Sequence, residues 1–388
     1  MKKKILSAVV AVVLVVVSFT AGFFIRNWTN PDLASLDFIS REYKKHYLDE
    51  KDDYLSTMAK SVLDPYSRYY TKKEYDELKQ SNKGIRAGLG VTFLVENAEV
   101  YSVCGNSPAE KAGITKGGII VGVKTGSDTN YTAVSNYNEL SKILDTVAAN
   151  VKFSLKIRYG EEDKEFTLAK EVYRETYVFY EDNSSSYRFN DENGKNMSMV
   201  KYGDGNSALD ENTAYLKFTA FNGLESGLKG SAGQFAEALK KFKEGKKKNL
   251  ILDLRGNGGG FMDILTSVAA HLIGAENGSK KVVSKAIDKD GRVTNFISEK
   301  VDYADYGFEK IIVLGDDGTA SASEALIGAM LDYDKEGIVN VVLSGYKDKS
   351  GEIVYRTYGK GIMQTTYENP TTGEAIRLTT AKIYWPTS

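Results

Sequence analysis

From residue 214 to residue 343 the chain alternates apolar strand-type runs with helical ones, and this alternation constrains the fold more than any other feature. Residues 214–221, 249–254, 310–314 and 339–343 read as strands, and 231–242, 262–273 and 323–331 read as the helices between them. Strands joined through helices cross over right-handedly within one sheet. The pattern therefore predicts a layered α/β domain.

The remaining sequence predicts further units. A chain of 388 residues that is 42% hydrophobic suits two or three modest domains. Between residues 32 and 80 the apolar residues Leu36, Phe38, Ile39, Tyr43, Leu55, Met58 and Val62 fall at helical spacing, broken at Asp64-Pro65. From 84 to about 170 short β-type runs with Gly-containing turns surround one helix-like stretch, 137–147, which reads as a compact and mostly β module. The Asn/Ser/Asp/Gly-rich stretch 181–206 reads as a linker or an exposed hairpin insertion. The expected divisions are 1–30, 31–83, 84–172 and 173–388.

The first of these is a membrane signal. Met1–Lys4 is basic, and residues 5–25 form an uninterrupted apolar run, long enough to cross a hydrocarbon core of ~30 Å as a helix. The lysines orient the N-terminus to the cytoplasm and the rest of the chain outside. A cleaved signal peptide is the competing reading, but such apolar stretches usually span only ~7–15 residues and end in a small-residue site, which is missing here. The formal net charge of −1 provides no bulk field for nucleic acid. Cys104 is the only cysteine, which excludes an intrachain disulfide and a cysteine zinc site; His46 and His271 are the only histidines.

Three motifs carry candidate chemistry. Residues 311–324 run from an apolar strand through a Gly-containing turn into an Ala-rich helix, placing Ser321 and Ser323 at a helix entrance. Free N–H groups and the helix dipole there stabilise the negative charge that acyl transfer develops, although a plain N-cap, with Glu324 adding first-turn charge, would use the same residues. Residues 358–364 flank Lys360 with Gly359 and Gly361, so that backbone can approach a buried lysine. A lysine acts as a base only when neutral, so its pKa must fall from ~10.4 toward ~7–8. The same residues would also make an ordinary Gly turn around a solvated lysine. Residues 249–261 deliver a second Gly-rich turn into a helix, whose amides could bind an anion. Phe261 stands where a dinucleotide fingerprint needs glycine.

Taken together and in this order, the motifs resemble those of the carboxyl-terminal processing (tail-specific) proteases, which are Ser/Lys peptidases. Thr319-Ala320-Ser321-Ala322-Ser323-Glu324 is similar to the family's nucleophile motif, Tyr358-Gly359-Lys360-Gly361 with Gln364 to its base motif, and 253–260 to its oxyanion turn. Leu63-Asp64-Pro65-Tyr66-Ser67 matches the family's helical region, and Ser107-Pro108-Ala109-Glu110-Lys111-Ala112-Gly113-Ile114 its PDZ domain. The resemblance implies a PDZ module at 84–172 and a crotonase/ClpP-like catalytic domain, with no cofactor and no metal. Ser321 would be the nucleophile, Lys360 the base and Gln364 its support, with the amides of Gly259 and Ala322 as the oxyanion hole. Gly88, Leu89, Gly90 and Val91 would take a substrate's terminal carboxylate, the tail adding as a strand against helix 137–147.

The sequence departs from the family at three places. The polar connection 346–356 is longer than usual, Gly118 stands where an aspartate is usual, and family members run on beyond residue 388. The expected activity is extracytoplasmic proteolysis of proteins bound through their C-termini, by an anchored chain for which a homo-oligomer is one expected assembly. An inactive tail-binding scaffold, a Ser-His-Asp enzyme using His271 or His46, and an acyl-CoA enzyme of the crotonase type are the alternatives. Asp332 and Arg158 are weaker candidates for supporting the site and for coupling peptide binding to it.

Overall fold

The computed structural model describes residues 31–46, 54–126, 128–191, 197–273, 280–299, 306–348 and 350–387. The membrane-anchor reading of residues 1–30 lies outside them. Among the described residues no helix is long and apolar enough to cross a membrane.

The chain divides into two units, Met1–Leu63 and Asp64–Ser388. The smaller contains helices Pro31–His46 and Tyr54–Val62, joined by stacked rings of Tyr43 and Tyr54 with centroids 4.9 Å apart. The larger unit starts at the Asp64-Pro65 break, and its first elements are strand Arg68–Tyr70 and helix Lys72–Asn82. That strand pairs with Ala375–Tyr384, opposing Arg68 to Arg377.

Within the larger unit, residues 85–174 form β pairs around a core of their own, built on Val100, Ile120, Leu140, Leu155 and Ile157. The four-stranded sheet runs Thr132–Ala133, Ile119–Thr125, Lys152–Tyr159, Glu162–Ala169. Val91–Phe93 pairs with Val100–Val103, and among the described residues no strand covers its other edge. Gly118 has a packing reason: a Cβ there would lie 2.6 Å from both Ile157 Cγ2 and Tyr159 Cζ.

The remainder is a seven-stranded mixed sheet facing a helical layer. Its order is Met197–Asp204, Ser185–Asp191, Val178–Glu181, Thr213–Phe218, Asn249–Asp253, Lys310–Gly315, Val339–Leu343. The stretch rich in Asn and Ser thus continues the sheet as an antiparallel hairpin. The last four strands are parallel, and the two central ones, Asn249–Asp253 and Lys310–Gly315, carry runs of Ile, Leu and Val, as expected of strands covered on both faces. Helix Ser231–Glu244 packs on Val178–Glu181 and Thr213–Phe218, while Met262–Ala270 and Ala322–Tyr333 pack against strand Val282–Asp288 of a second sheet. Phe218, Phe221, Phe235, Leu252, Leu265, Val313 and Leu326 fill the interior.

Parallel pairing has a direct consequence for function. Asp253 lies beside Leu314, and Gly315 beside Leu343, so three strands end together. The chain segments that follow them, which start at residues 254, 316 and 344, therefore emerge at one edge of the sheet. This is where open α/β sheets place their sites.

Candidate active site

The nucleophile candidate sits on a strained turn. Ser321 has φ +57° and ψ −116°, in a region that a residue with a Cβ rarely occupies, and the next residue begins helix Ala322–Tyr333. Non-glycine residues in such conformations cost about 1–3 kcal/mol and cluster at functional sites, where the surrounding structure holds them. Here the constraint comes from two sides. Asn257, fully buried, accepts from Ala320 N–H (3.0 Å) and from Ser323 Oγ (2.9 Å) through its carbonyl, while its Nδ2 donates to Phe218 O at 2.8 Å. Thr319 Oγ1 donates to Leu254 O at 2.9 Å, and Asp316 Oδ1 accepts from Gly256 N–H at 2.8 Å. The two Gly-containing turns are therefore sewn into one structure.

Gly259 lies in the tightest part of that seam. At φ +92° it presents its α-carbon so closely that an added Cβ would be 2.7 Å from Ala320 O and Ala322 N, and 2.8 Å from Ser321 Cβ. The structure thus brings Gly259, Ser321 and Ala322 together. The Gly259 N–H donates to Asn257 Oδ1 at 3.0 Å, so it must leave that partner before it can serve an oxyanion. Neighbouring Asp253, fully buried, is gripped by Arg255 through Nε (2.9 Å) and Nη2 (2.7 Å) and by Tyr215 Oη at 2.5 Å. Burial alone would raise its carboxyl, but these donors hold it below the usual carboxylate range.

Glu324 joins the serine turn to the lysine loop. One carboxylate accepts from Ser321 N–H (2.7 Å) and Lys360 N–H (2.9 Å) through Oε2, and from Gly359 N–H (2.7 Å) and Thr357 Oγ1 (2.6 Å) through Oε1. Tyr358 N–H adds a bond to Thr319 O at 3.0 Å. The backbone of residues 357–360 is therefore anchored to the nucleophile turn, so the longer connection 346–356 leaves the lysine at the site. Part of that connection folds as a small hairpin, Tyr346–Lys347 with Ile353–Val354.

Lys360 itself is half-buried. Burial pushes its ammonium below the ordinary lysine range and the Arg377 guanidinium adds to this, against Asp64 and Glu324, which favour the charged form. The crowding expected from the paired glycines is not what they provide. A Cβ at 359 or 361 would meet nothing within 4 Å; Gly359 is required by its φ of +83°. The lysine Nζ instead lies 5.1 Å from the centroid of the Tyr66 ring, and no hydrogen bond joins it to Ser321 Oγ among those of the described residues. Gln364 donates from Nε2 to Thr379 Oγ1 at 3.2 Å, and Thr379 N–H donates to Ser67 Oγ at 2.9 Å.

Tyr66, read from sequence only as part of a helical region, thus stands at the lysine, and Ser67 ties the same turn to Thr379. Asn257 and Glu324 are further residues whose roles the sequence did not reveal. The motif-level signal for Tyr66 and Ser67 was present in Leu63-Asp64-Pro65-Tyr66-Ser67, but nothing local says what that turn touches.

The remaining candidates fall elsewhere. His271 is half-buried beside Phe235, with Nδ1 2.7 Å from Tyr306 Oη, and loss of solvent pushes it down to about 4; His46 pairs with Glu42 in the smaller unit. Asp332 accepts from Thr387 N–H at 2.9 Å, and Arg158 pairs with Asp163 at 2.7 Å. In the β module, Gly90 has φ +76° and packs against Ser107, Cys104 N–H donates to its carbonyl at 2.8 Å, and Ala109 N–H donates to Leu89 O at 3.0 Å. Val91 begins the strand with the uncovered edge, and Gly88 ends the preceding one. Tyr137, first residue of helix Tyr137–Thr146, stacks on Phe93 with centroids 5.7 Å apart. Contacts that tie this module to the seven-stranded sheet include Glu110 with Arg188 at 2.6 Å, Arg174 with Asp191 at 3.4 Å, and Asn106 Nδ2 donating to Phe189 O at 2.8 Å.

Comparison with known proteins concerns the segment that holds these residues. Residues 212–388, which hold both glycine turns, Ser321 and Lys360, match the model of Peptidase family S41. This segment is similar to the domains of that family. Over 361 residues the chain is 28% identical to a probable CtpA-like serine protease of Staphylococcus epidermidis, covering 90% of this chain and 60% of that protein. A probable CtpA-like serine protease of Staphylococcus aureus is 27% identical over 377 residues, with coverages of 93% and 63%. The chain thus spans about 60% of the length of these curated relatives. Among solved structures, the photosystem II D1 C-terminal processing protease superposes with a TM-score of 0.51 at 20% identity, over 91% of this chain and 82% of that one. A putative S41 protease from Bacteroides fragilis gives 0.51 at 17% identity, over 88% and 80%. Residues 212–388 and the elements before them therefore share the α/β fold of these two structures.

Proposed function

We propose that the chain is a serine peptidase acting on proteins held by their C-terminal tails, with Ser321 as nucleophile and Lys360 as general base. The observation that carries this reading is the strained serine at a helix entrance, whose turn shares one carboxylate, Glu324, with the backbone of a lysine depressed below its ordinary range. A plain N-cap needs neither the strain nor the lysine.

In this reading, neutral Lys360 takes the Ser321 proton as Oγ attacks a peptide carbonyl. The resulting lysinium protonates the departing amine, and water then hydrolyses the acyl-enzyme. The Ala322 amide and the helix dipole face the developing oxyanion, joined by Gly259 N–H once it leaves Asn257. Gln364 bonds Thr379 and so steadies the strand Ile362–Glu368 that follows the lysine. Residues 84–172 act as a PDZ module: the segment Gly88, Leu89, Gly90, Val91 takes the tail carboxylate, and the tail adds to the uncovered edge of Val91–Phe93. The basic-then-apolar N-terminus supports membrane anchoring with the S41 domain outside the cytoplasm.

The test uses the full chain and an unfolded substrate tagged at its C-terminus. Cleavage is expected from the parent, to be abolished by Ser321→Ala and Lys360→Ala, and to survive simultaneous replacement of His46 and His271. Loss in the folded histidine variant would remove Lys360 from the base role. Tail binding without cleavage by the parent would make the chain a scaffold.

A further inference from the structure

We infer that Tyr66 is a positioning residue for Lys360, its ring holding the protonated ammonium away from Ser321 and releasing the amine once the proton is lost. The inference rests on the reading of Lys360 as the base.

The geometry leaves one mobile part. Asp64 Oδ1 accepts from Tyr66 N–H (2.8 Å) and Ser67 N–H (2.9 Å), closing the turn after Pro65. Ser67 Oγ accepts from Thr379 N–H at 2.9 Å, tying that turn to strand Ala375–Tyr384. The Tyr66 and Tyr358 hydroxyls share a hydrogen bond of 2.9 Å, which fixes the ring at its far end and pushes the Tyr66 phenol above its ordinary range, so the ring stays uncharged. On the other side, Glu324 holds the Lys360 backbone. With both backbones fixed, only the lysine's four-carbon stem can carry Nζ from the ring to Ser321.

The chemistry of the contact makes it selective for one protonation state. The negative face of an aromatic ring attracts an ammonium and does little for a neutral amine. With Nζ 5.1 Å from the centroid, Tyr66 favours the form of Lys360 that cannot act as a base, and loses its hold on the form that can. Other charges also face this lysine: Arg377 opposes its protonation, and Asp64 and Glu324 favour it. Both carboxylates are already engaged by backbone N–H groups, so they form a constant background. The ring can be altered without changing any of these charges.

The experiment follows Lys360 in the full chain by its rate of reductive methylation against pH, read at that residue by mass spectrometry. The proteins compared are the parent, Tyr66→Phe, Tyr66→Leu, and a chain carrying a fluorinated phenylalanine at position 66, which has a ring of similar shape and a weaker negative face. Tyr66→Phe should titrate near the parent, and the leucine and fluorinated chains lower by about half a pH unit or more. The acid limb of kcat/KM should move down by the same amount, raising activity near neutrality about threefold. An unmoved or raised titration in the leucine and fluorinated chains overturns the proposal; if Tyr66→Leu fails to fold, the fluorinated chain decides. If Lys360→Ala keeps its proteolysis, the base assignment fails, and the methylation profile still reports separately whether Tyr66 holds the lysine.

Discussion

A methyl group added at Gly259 has no room. It would meet Ala320 O and Ala322 N at 2.7 Å and Ser321 Cβ at 2.8 Å, all on the backbone or Cβ of a turn that cannot rotate away. The φ of +92° adds a left-handed penalty of about 1–2 kcal/mol for any residue with a Cβ, and overfilling a packed site costs about 1–3 kcal/mol. Gly259→Ala should therefore destabilise the domain that holds Ser321 by about 2–5 kcal/mol. Relief of the clash must push the Ser321 turn aside, and misplacement of a reacting group by about 1 Å costs on the order of 100-fold in rate. Gly258→Ala is the internal control: its added Cβ meets nothing within 4 Å. Urea midpoints and the rate at which a serine-directed acylating probe labels Ser321 would be measured for both. The expected result is a lowered midpoint and labelling slowed 10-fold to 100-fold for Gly259→Ala alone. Parent-like labelling and an unshifted midpoint in Gly259→Ala would refute the claim that this glycine is required by contact with the nucleophile turn.

Three further outcomes follow from the same contacts. Glu324→Gln weakens charge-assisted bonds to three backbone N–H groups, so kcat should fall by about 10-fold to 100-fold while affinity for a C-terminal peptide, measured by fluorescence anisotropy, stays at the parent value. Arg377→Met removes a cation that depresses Lys360. A base is active above its folded pKa and loses activity as pH falls through it, so the acid limb of kcat/KM should move to higher pH, and a downward shift would contradict the assignment. Gly90→Ala, with φ +76° and a Cβ 2.1 Å from Ser107 Cβ, should weaken tail-peptide binding at least about tenfold and leave probe labelling of Ser321 unaltered.

Much of the site was legible because its signals are local. Strand-type runs such as Ile311-Ile312-Val313-Leu314 and glycines that tolerate left-handed backbone can each be read within a few residues. Ser321 at the entrance to its helix, the Gly-rich turn after Asp253 and the loop around Lys360 were visible in this way. Glu324 shows the limit: read locally it is a first-turn charge, yet its carboxylate bonds Lys360, 36 residues away in sequence. The glycines beside Lys360 mislead similarly, since only coordinates reveal open space around both α-carbons.

The sequence by itself determined where the chain extends, coils and turns, because those preferences depend on neighbours within one or two turns of backbone. Which turns meet was decided by the tertiary structure. Parallel register set Gly315 beside Leu343, and the pairing of Arg68–Tyr70 with Ala375–Tyr384 carried Tyr66 to Tyr358 across 292 residues of chain. A contact of that span depends on the whole sheet being assembled, since no local preference encodes the partner.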